Sequence, residues 1–270
     1  MFAIVLTALS GQVVCAVNQD QQRSLTPIQL EIEKQRQRLN SADVEERRDA
    51  LVQLRTLHHP QASRVAQGSL TDQSPIVRAT AAGSVIWLPA DEGAASLIPL
   101  LADKDEFVRQ QTAYALGQTR SRVGVNSLIE RLTDKKDSVR GAAAVALGEI
   151  ADVAAVIPLA ALLAPPSTAA QPKKSKKSKP ERNPFVLRAA ARSLGQIADR
   201  AALPVLFAVL QDDTAEDDVR REAAWALGNI GDASALSILQ TAATARDPYL
   251  ADLASQAVKK ILKAQANRSR

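Results

Sequence analysis

A Val-Arg pair recurs along this chain at Val77-Arg78, Val108-Arg109 and Val139-Arg140, a step of 31 residues each time, and again at Val219-Arg220. An Ala-Leu-Gly or Ser-Leu-Gly follows it, at Leu116-Gly117, Leu147-Gly148, Leu194-Gly195 and Leu227-Gly228. A fixed step of this size marks stacked repeats, in which each unit buries its apolar face on its neighbours rather than in one central core. The clearest unit is 137–163, DSVRGAAAVALGEIADVAAVIPLAALL. Val139, Ala142, Ala143, Ala146 and Leu147 fall at three- and four-residue spacing, which places them on one face of a helix (helix A), and Gly148 is expected to end it. Asp152 is expected to cap a second helix (helix B), whose Val156, Leu159, Leu162 and Leu163 form the facing stripe. The chain therefore reads as an all-α solenoid of about six helix pairs.

Taken in order, residues 17–41 form a charged N-terminal segment with a capping helix, Thr26 capping it and Pro27 in its first turn. Repeats one to four run over 42–164. A Lys/Pro/Ser-rich insert occupies 165–182, repeats five and six with a C-terminal cap occupy 183–263, and 264–270 are a basic tail. Some units depart from the pattern. Arg47 takes the Arg position in the first, and Ile86 stands at the Gly position of the second, where Trp87-Leu88-Pro89 makes the turn. In the fifth, Leu187 holds the Arg position and the Arg has moved to Arg188; Leu250-Ala251 replaces Val-Arg in the last half-unit. Pro99, Pro158 and Pro204 fall within helices B, where a proline removes a hydrogen bond and is expected to bend the helix.

Residues 1–16, MFAIVLTALSGQVVCA, open on an apolar run and place Val14 and Ala16 at the −3 and −1 positions of a signal-peptidase site. The expectation is an exported protein of the bacterial periplasm or cell envelope. A lipidated Cys15 or a buried N-terminal helix in a cytoplasmic protein are the alternatives. The run is too short to span a bilayer permanently.

The formal charge of +5 belongs to one place: Lys173, Lys174, Lys176, Lys177, Lys179 and Arg182, set against Glu181, account for all of it. A groove-lining nucleic-acid binder needs its cations spread along the surface, so nucleic acid is not expected as the partner of the repeats. Aromatic residues make up 3% of the chain, which also argues against base-stacking platforms. One Cys and two His (His58, His59) exclude an ordinary Cys/His zinc site. No nucleophile-and-base motif, phosphate loop or HExxH occurs, so neither catalysis nor a cofactor is expected.

Val219-Arg220-Arg221-Glu222-Ala223-Ala224-Trp225-Ala226-Leu227-Gly228-Asn229-Ile230-Gly231-Asp232 follows the pattern V-R-x-x-A-x-x-A-L-G-x-I-x-D almost residue for residue. With a second helix ending L-x-x-L, this unit resembles the short HEAT-type repeat of the phycobilisome-lyase-like class, over about residues 42–263. The resemblance implies a right-handed, armadillo/HEAT-like superhelix with helices B lining its concave face. It also implies a range of functions, from bilin lyases and chaperones to the plain binding of other proteins.

The candidate functional residues follow from this frame. Helices B at 153–164 and 201–210 are apolar almost all round, whereas a helix packed on one side carries a polar opposite face. Ala154, Ile157, Ala161, Ala201, Val205, Ala208 and Ile238 fall off the packing stripe and are expected to line an apolar protein-binding groove. Trp225, at an Ala-class position of helix A, is a possible anchor. Arg47, Arg78, Arg109, Arg140 and Arg220 read as a structural series, each pairing with an acid at a repeat junction such as Asp103, Asp134 or Asp212. The two histidines read as groups at a helix end. The expectation is a non-catalytic scaffold or adaptor with a protein partner. The alternatives are a bilin-lyase-like enzyme or chromophore chaperone, and a tether to an anionic partner (acidic protein, lipid head groups or nucleic acid) through 165–182.

Overall fold

The structure, a computed structural model, describes residues 25–164 and 181–268. The expected signal segment with Cys15, and the five lysines of the insert, lie outside the described residues. All regular structure among the described residues is helical, and the chain is an α-solenoid of helix pairs. It divides into two compact units, one ending at Leu88 and one beginning at Pro89.

In the first unit, α1 (Pro27–Arg38) opens on a capping box: Thr26 and Gln29 satisfy each other's backbone N–H, with Pro27 in the first turn. Helix α2 (Val44–Thr56) is capped by Asp43 and buries Ala50, Leu51 and Leu54. Helix α3 (Pro60–Gln67) passes into a 3-10 turn, Gly68–Thr71, and α4 (Pro75–Ser84) packs on α2. The histidines serve the turn between α2 and α3. His58 adopts a left-handed backbone (φ 49°) and its ring centroid lies 4.6 Å from that of Trp87. Nδ1 of His59 accepts from the backbone N–H of Gln61 at 3.1 Å, which makes it the N-cap of α3.

The second unit holds α5 (Ala90–Leu97), α6 (Glu106–Thr119), α7 (Val125–Arg131), α8 (Asp137–Ile150) and α9 (Val156–Leu163). After the insert come α10 (Pro184–Ile197), α11 (Leu203–Gln211), α12 (Asp217–Ile230), α13 (Leu236–Ala242) and α14 (Pro248–Arg268). Helices A (α6, α8, α10, α12) and then α14 pack in succession, and helices B α9, α11 and α13 form a second row beside them. Helix α14 runs through residues 264–268, the start of the expected basic tail.

Gly148 does not end its helix. Helix α8 continues to Ile150 and closes on Ala151, which is left-handed at φ 57°; Arg120, Ala198 and Gly231 do the same for α6, α10 and α12. The repeated glycine serves packing instead. A Cβ added at Gly195 would lie 2.6 Å from Ala226 Cα, and one at Gly117 would lie 2.8 Å from Ala146 Cα. These residues let successive helices A approach backbone to backbone, a use of glycine that periodicity does not distinguish from a cap.

Helices B do not begin where periodicity places them. Asp152, Asp199 and Asp232 each cap a short 3-10 turn, and the α-helix starts only after it. Pro158 and Pro204 thus fall in the first turn of α9 and α11, where their missing N–H has no helical acceptor to lose, and Pro99 lies in the 3-10 segment Ile98–Ala102. The expected mid-helix bends therefore have no cause at Pro158 and Pro204, whereas at Pro99 the α-helix gives way to the 3-10 segment.

Candidate interaction site

The conserved geometry of the repeat junction defines what its breakage means. Arg47 donates from Nε and Nη2 to both carboxylate oxygens of Asp72, at 2.8 and 3.0 Å, and from Nη1 to the carbonyls of Ser41 and Ala42. Arg109 repeats this with Asp134, at 2.9 and 3.0 Å, and with the carbonyls of Asp103 and Lys104. Arg78 donates to the carbonyls of Asp72 and Gln73. Arg47 and Arg109 each clamp the acid at the end of their own repeat to the loop before their helix A, as a planar five-donor group can. The acid also accepts the backbone N–H two residues on: Ser74 for Asp72, Lys136 for Asp134. Burial pushes the Asp134 carboxyl up, but the Arg109 hydrogen bond and the Lys136 N–H outweigh it and hold the carboxyl below its ordinary range.

In repeat four the insert intervenes, and Glu181 takes the acid's place. Arg140 binds both of its oxygens, and the N–H groups of Arg182 and Asn183 donate to Oε1. Glu181 therefore stands at the repeat junction, in the acid's place at the end of repeat four. The Glu181 side chain is nearly buried, which pushes its carboxyl up; the Arg140 bond and the backbone donors more than offset this, and the group lies below its ordinary range.

Repeat five breaks the clamp. Leu187 and Asp212 are separated by the same 25 residues as Arg47 and Asp72, yet leucine cannot bind the acid. Asp212 keeps the backbone N–H two residues on, from Thr214 at 2.9 Å, and accepts the Thr214 hydroxyl at 2.6 Å in place of a guanidinium. Arg188, one residue on, is exposed and reaches only Asp218, at 3.5 Å. Repeat six differs again. Arg221, not Arg220, makes the bidentate bond, to Asp247 at 2.7 and 2.9 Å, while Arg220 donates to the exposed Asp213 at 3.0 Å. Of the Arg series expected from the sequence, Arg47, Arg109 and Arg140 make the two-oxygen contact with an acid, Arg78 reaches the loop carbonyls and Arg220 pairs with Asp213; in the sixth unit the two-oxygen contact belongs to Arg221.

The leucine leaves space. A cleft of about 390 Å³ opens beside it, lined by Leu162, Leu163 and Ala164 of repeat four, Leu187, Ala208 and Val209 of repeat five, and Ala215 and Val219 beyond. Glu181, Asp212 and Glu216 complete the lining, and no lysine or arginine among the described residues joins them. Both described ends of the insert, Ala164 and Glu181, line this cleft.

The seven residues expected to line a groove sort into two rows. Ile157 is 68% exposed, and its register equivalents Asn126, Pro204 and Ser237 are exposed too. Val205 and Ile238 stand one position later, equivalent to Ser127 and Pro158, and all four are half-buried. Ala154, Ala161 and Ala201 are exposed, while Ala208 is half-buried and faces the cleft. At the 3-10 turns that lead into helices B, two large apolar side chains are exposed, both in repeats three and four: Val123 is 50% exposed and Val153 60%. Their turns lie side by side, and Arg122 Nε reaches across to Asp152 Oδ2 at 3.1 Å. The same cross-repeat bond joins Arg200 and Asp232 at 2.8 Å, but between repeats four and five Val153 occupies the arginine's position. Neither Val123 nor Val153 is among the residues expected from the sequence to line the groove.

Trp225 lies on the helix-A side, half-buried, against Gly195, with the Arg192 guanidinium 4.7 Å from its ring centroid. It is placed away from the helix-B rows. No group of three or more His, Cys, Asp or Glu among the described residues could hold a metal ion, and no described helix is long and apolar enough to cross a membrane.

The comparisons with known proteins agree with this architecture. The family model for HEAT repeats matches residues 32–117, 94–170 and 179–259. The structure of the complex of CpcE and CpcF of phycocyanin lyase from Nostoc sp. PCC7120 is similar, with 22% identity over 89% of each chain and a TM-score of 0.51. An engineered protein is similar at 23% identity over 86% of this chain and 68% of its own, with a TM-score of 0.56. These likenesses are of fold. No curated protein sequence matches the chain.

Proposed function

Because the chain belongs to the HEAT-repeat family, a fold that offers long rows of equivalent surface positions, we propose that it is a non-catalytic scaffold holding a protein partner on the exposed row of its helices B. One observation carries this reading. Val123, Val153 and Ile157 are all at least half exposed and lie on neighbouring turns, where large apolar side chains have no packing reason to be. An amphipathic helix or extended segment suits such a strip. The test is affinity capture with wild-type protein and a Val153→Asp/Ile157→Asp variant of equal helicity. A partner retained by the first and lost by the second supports the reading, and identical capture by both refutes it.

The rival reading, a bilin-lyase-like enzyme or chromophore chaperone, draws its support from the fold shared with the phycocyanin lyase complex. Mixing the purified protein with a free bilin separates the two: a shifted, intensified absorption band favours the rival. We also propose export, on the strength of residues 1–16; a mature N-terminus at Val17 is the supporting result, and intact Met1 in a cytoplasmic fraction the opposing one.

A further inference from the structure

The junction between repeats four, five and six combines two departures from the repeat: an insert before Glu181, and leucine for arginine at 187, which leaves Asp212 with no bound guanidinium among the described residues. Together they replace a clamp by a cleft. Its floor is apolar, from Leu162, Leu187, Val209 and Val219, and its edge carries the carboxylates of Asp212 and Glu216. Thr214 donates to Asp212 from its side chain and backbone, which holds that carboxyl below its ordinary range, so it is charged at neutral pH. Asp213 in the loop and Asp217 and Asp218 at the start of α12 are exposed, Asp213 pairing with Arg220 and Asp218 with Arg188 and Arg221.

We propose that this cleft is a docking site for a short peptide segment of a partner protein, with a leucine-sized apolar residue entering the space beside Leu187 and a flanking lysine or arginine reaching Asp212 and Glu216. The proposal rests on the scaffold reading and names the partner chemistry at a second place on the surface. Size and charge both support it. About 390 Å³ suits one or two aliphatic side chains and not a folded domain. Asp212 sits where a guanidinium binds in the intact repeats, so an incoming cation restores a contact that the repeat already makes in Arg47–Asp72 and Arg109–Asp134.

The test uses the full chain and a fluorescein-labelled peptide of two leucines between paired lysines, followed by anisotropy. The control peptides carry glutamate for lysine or serine for leucine. Binding is expected for the first peptide alone, and weaker at high salt. Leu187→Arg rebuilds the clamp, fills the cleft and should abolish binding while helicity by circular dichroism is kept. Should that variant fold poorly, Asp212→Asn/Glu216→Gln leaves the floor intact and should weaken binding roughly tenfold or more. Equal binding of all three peptides, or undiminished binding by Leu187→Arg, overturns the proposal. Binding that appears only after deletion of 165–180 also overturns it and assigns the cleft to the chain's own lysine-rich segment. Unchanged partner capture by Val153→Asp/Ile157→Asp with peptide binding retained would end the helix-B reading and keep the cleft; lost capture with no peptide binding would do the reverse, so the two can fail separately.

Discussion

Arg109 holds both carboxylate oxygens of Asp134, at 2.9 and 3.0 Å, with the two side chains only 5% and 7% exposed. A buried pair of this kind is strongly destabilising to break and much less so to replace, because breaking it strands a charge. Arg109→Met or Asp134→Leu alone is expected to lower stability by about 3–5 kcal/mol, and the double variant to recover most of that. Urea denaturation of the four proteins is the check; additive losses would show that the two side chains do not act on each other.

The junction acids also set the response to pH. Asp134 and Glu181 have folded-state pKa values below their ordinary ones, so the unfolded chain takes up protons first as pH falls. Their contribution is fully present above the ordinary carboxylate range, roughly pH 4, and is lost as pH falls through the lower folded values. Thermal melts from neutral pH downward should show stability falling below that range. Asp134→Asn should start from a lower melting temperature and have a shallower acid slope. An unchanged slope would remove Asp134 as a contributor.

At Gly195 two effects oppose each other. Alanine favours a helix by about 1 kcal/mol over glycine. Its Cβ, however, would come 2.6 Å from Ala226 Cα, a backbone atom that cannot swing aside. Overpacking costs typically about 1–3 kcal/mol, so Gly195→Ala is expected to destabilise on balance. Gly68 is the control: nothing lies within 4 Å of its added Cβ and its φ is −59°. Gly68→Ala should stabilise by about 0.4–1 kcal/mol through the unfolded chain. Melting temperatures moving in the same direction for both would overturn the packing account.

Ala151 and Ala198 close α8 and α10 in the left-handed region, at φ 57° each, where Gly231 serves α12. A Cβ in that conformation costs roughly 1–2 kcal/mol. Ala151→Gly and Ala198→Gly should each raise stability by about 1 kcal/mol after the added freedom of the unfolded chain is subtracted. Gly231→Ala should lower it by a similar amount.

The sequence carried the repeat because one contact recurs every 31 residues: Arg78, Arg109 and Arg140 must meet the same loop carbonyls each time. It also marked Leu187 as a departure. What that departure does could not be read there, since the cleft exists only where Leu162, Leu187, Val209 and Val219 converge from separate helices. The groove was legible as an excess of apolar residues on helices B, but not its register. Ile157 and Val205 look alike in sequence, yet one faces solvent and the other leans inward, because Ile157 stands five residues after its capping Asp152 and Val205 six after Asp199, one register position apart. Glycine at 148 illustrates the same limit: a residue that can end a helix can also let two helices touch, and composition does not separate the uses.

The bond between Arg140 and Glu181 closes the chain at the foot of the insert. Repeat five is thereby seated by a contact made before and after the added length, not through it. Closing a loop grows more costly only with the logarithm of its length, about 0.6 kcal/mol per doubling. The stretch between Pro165 and Pro180 is thus a port: a reporter domain spliced there, or a permuted terminus opened there, would meet a stack whose register is already locked on both sides.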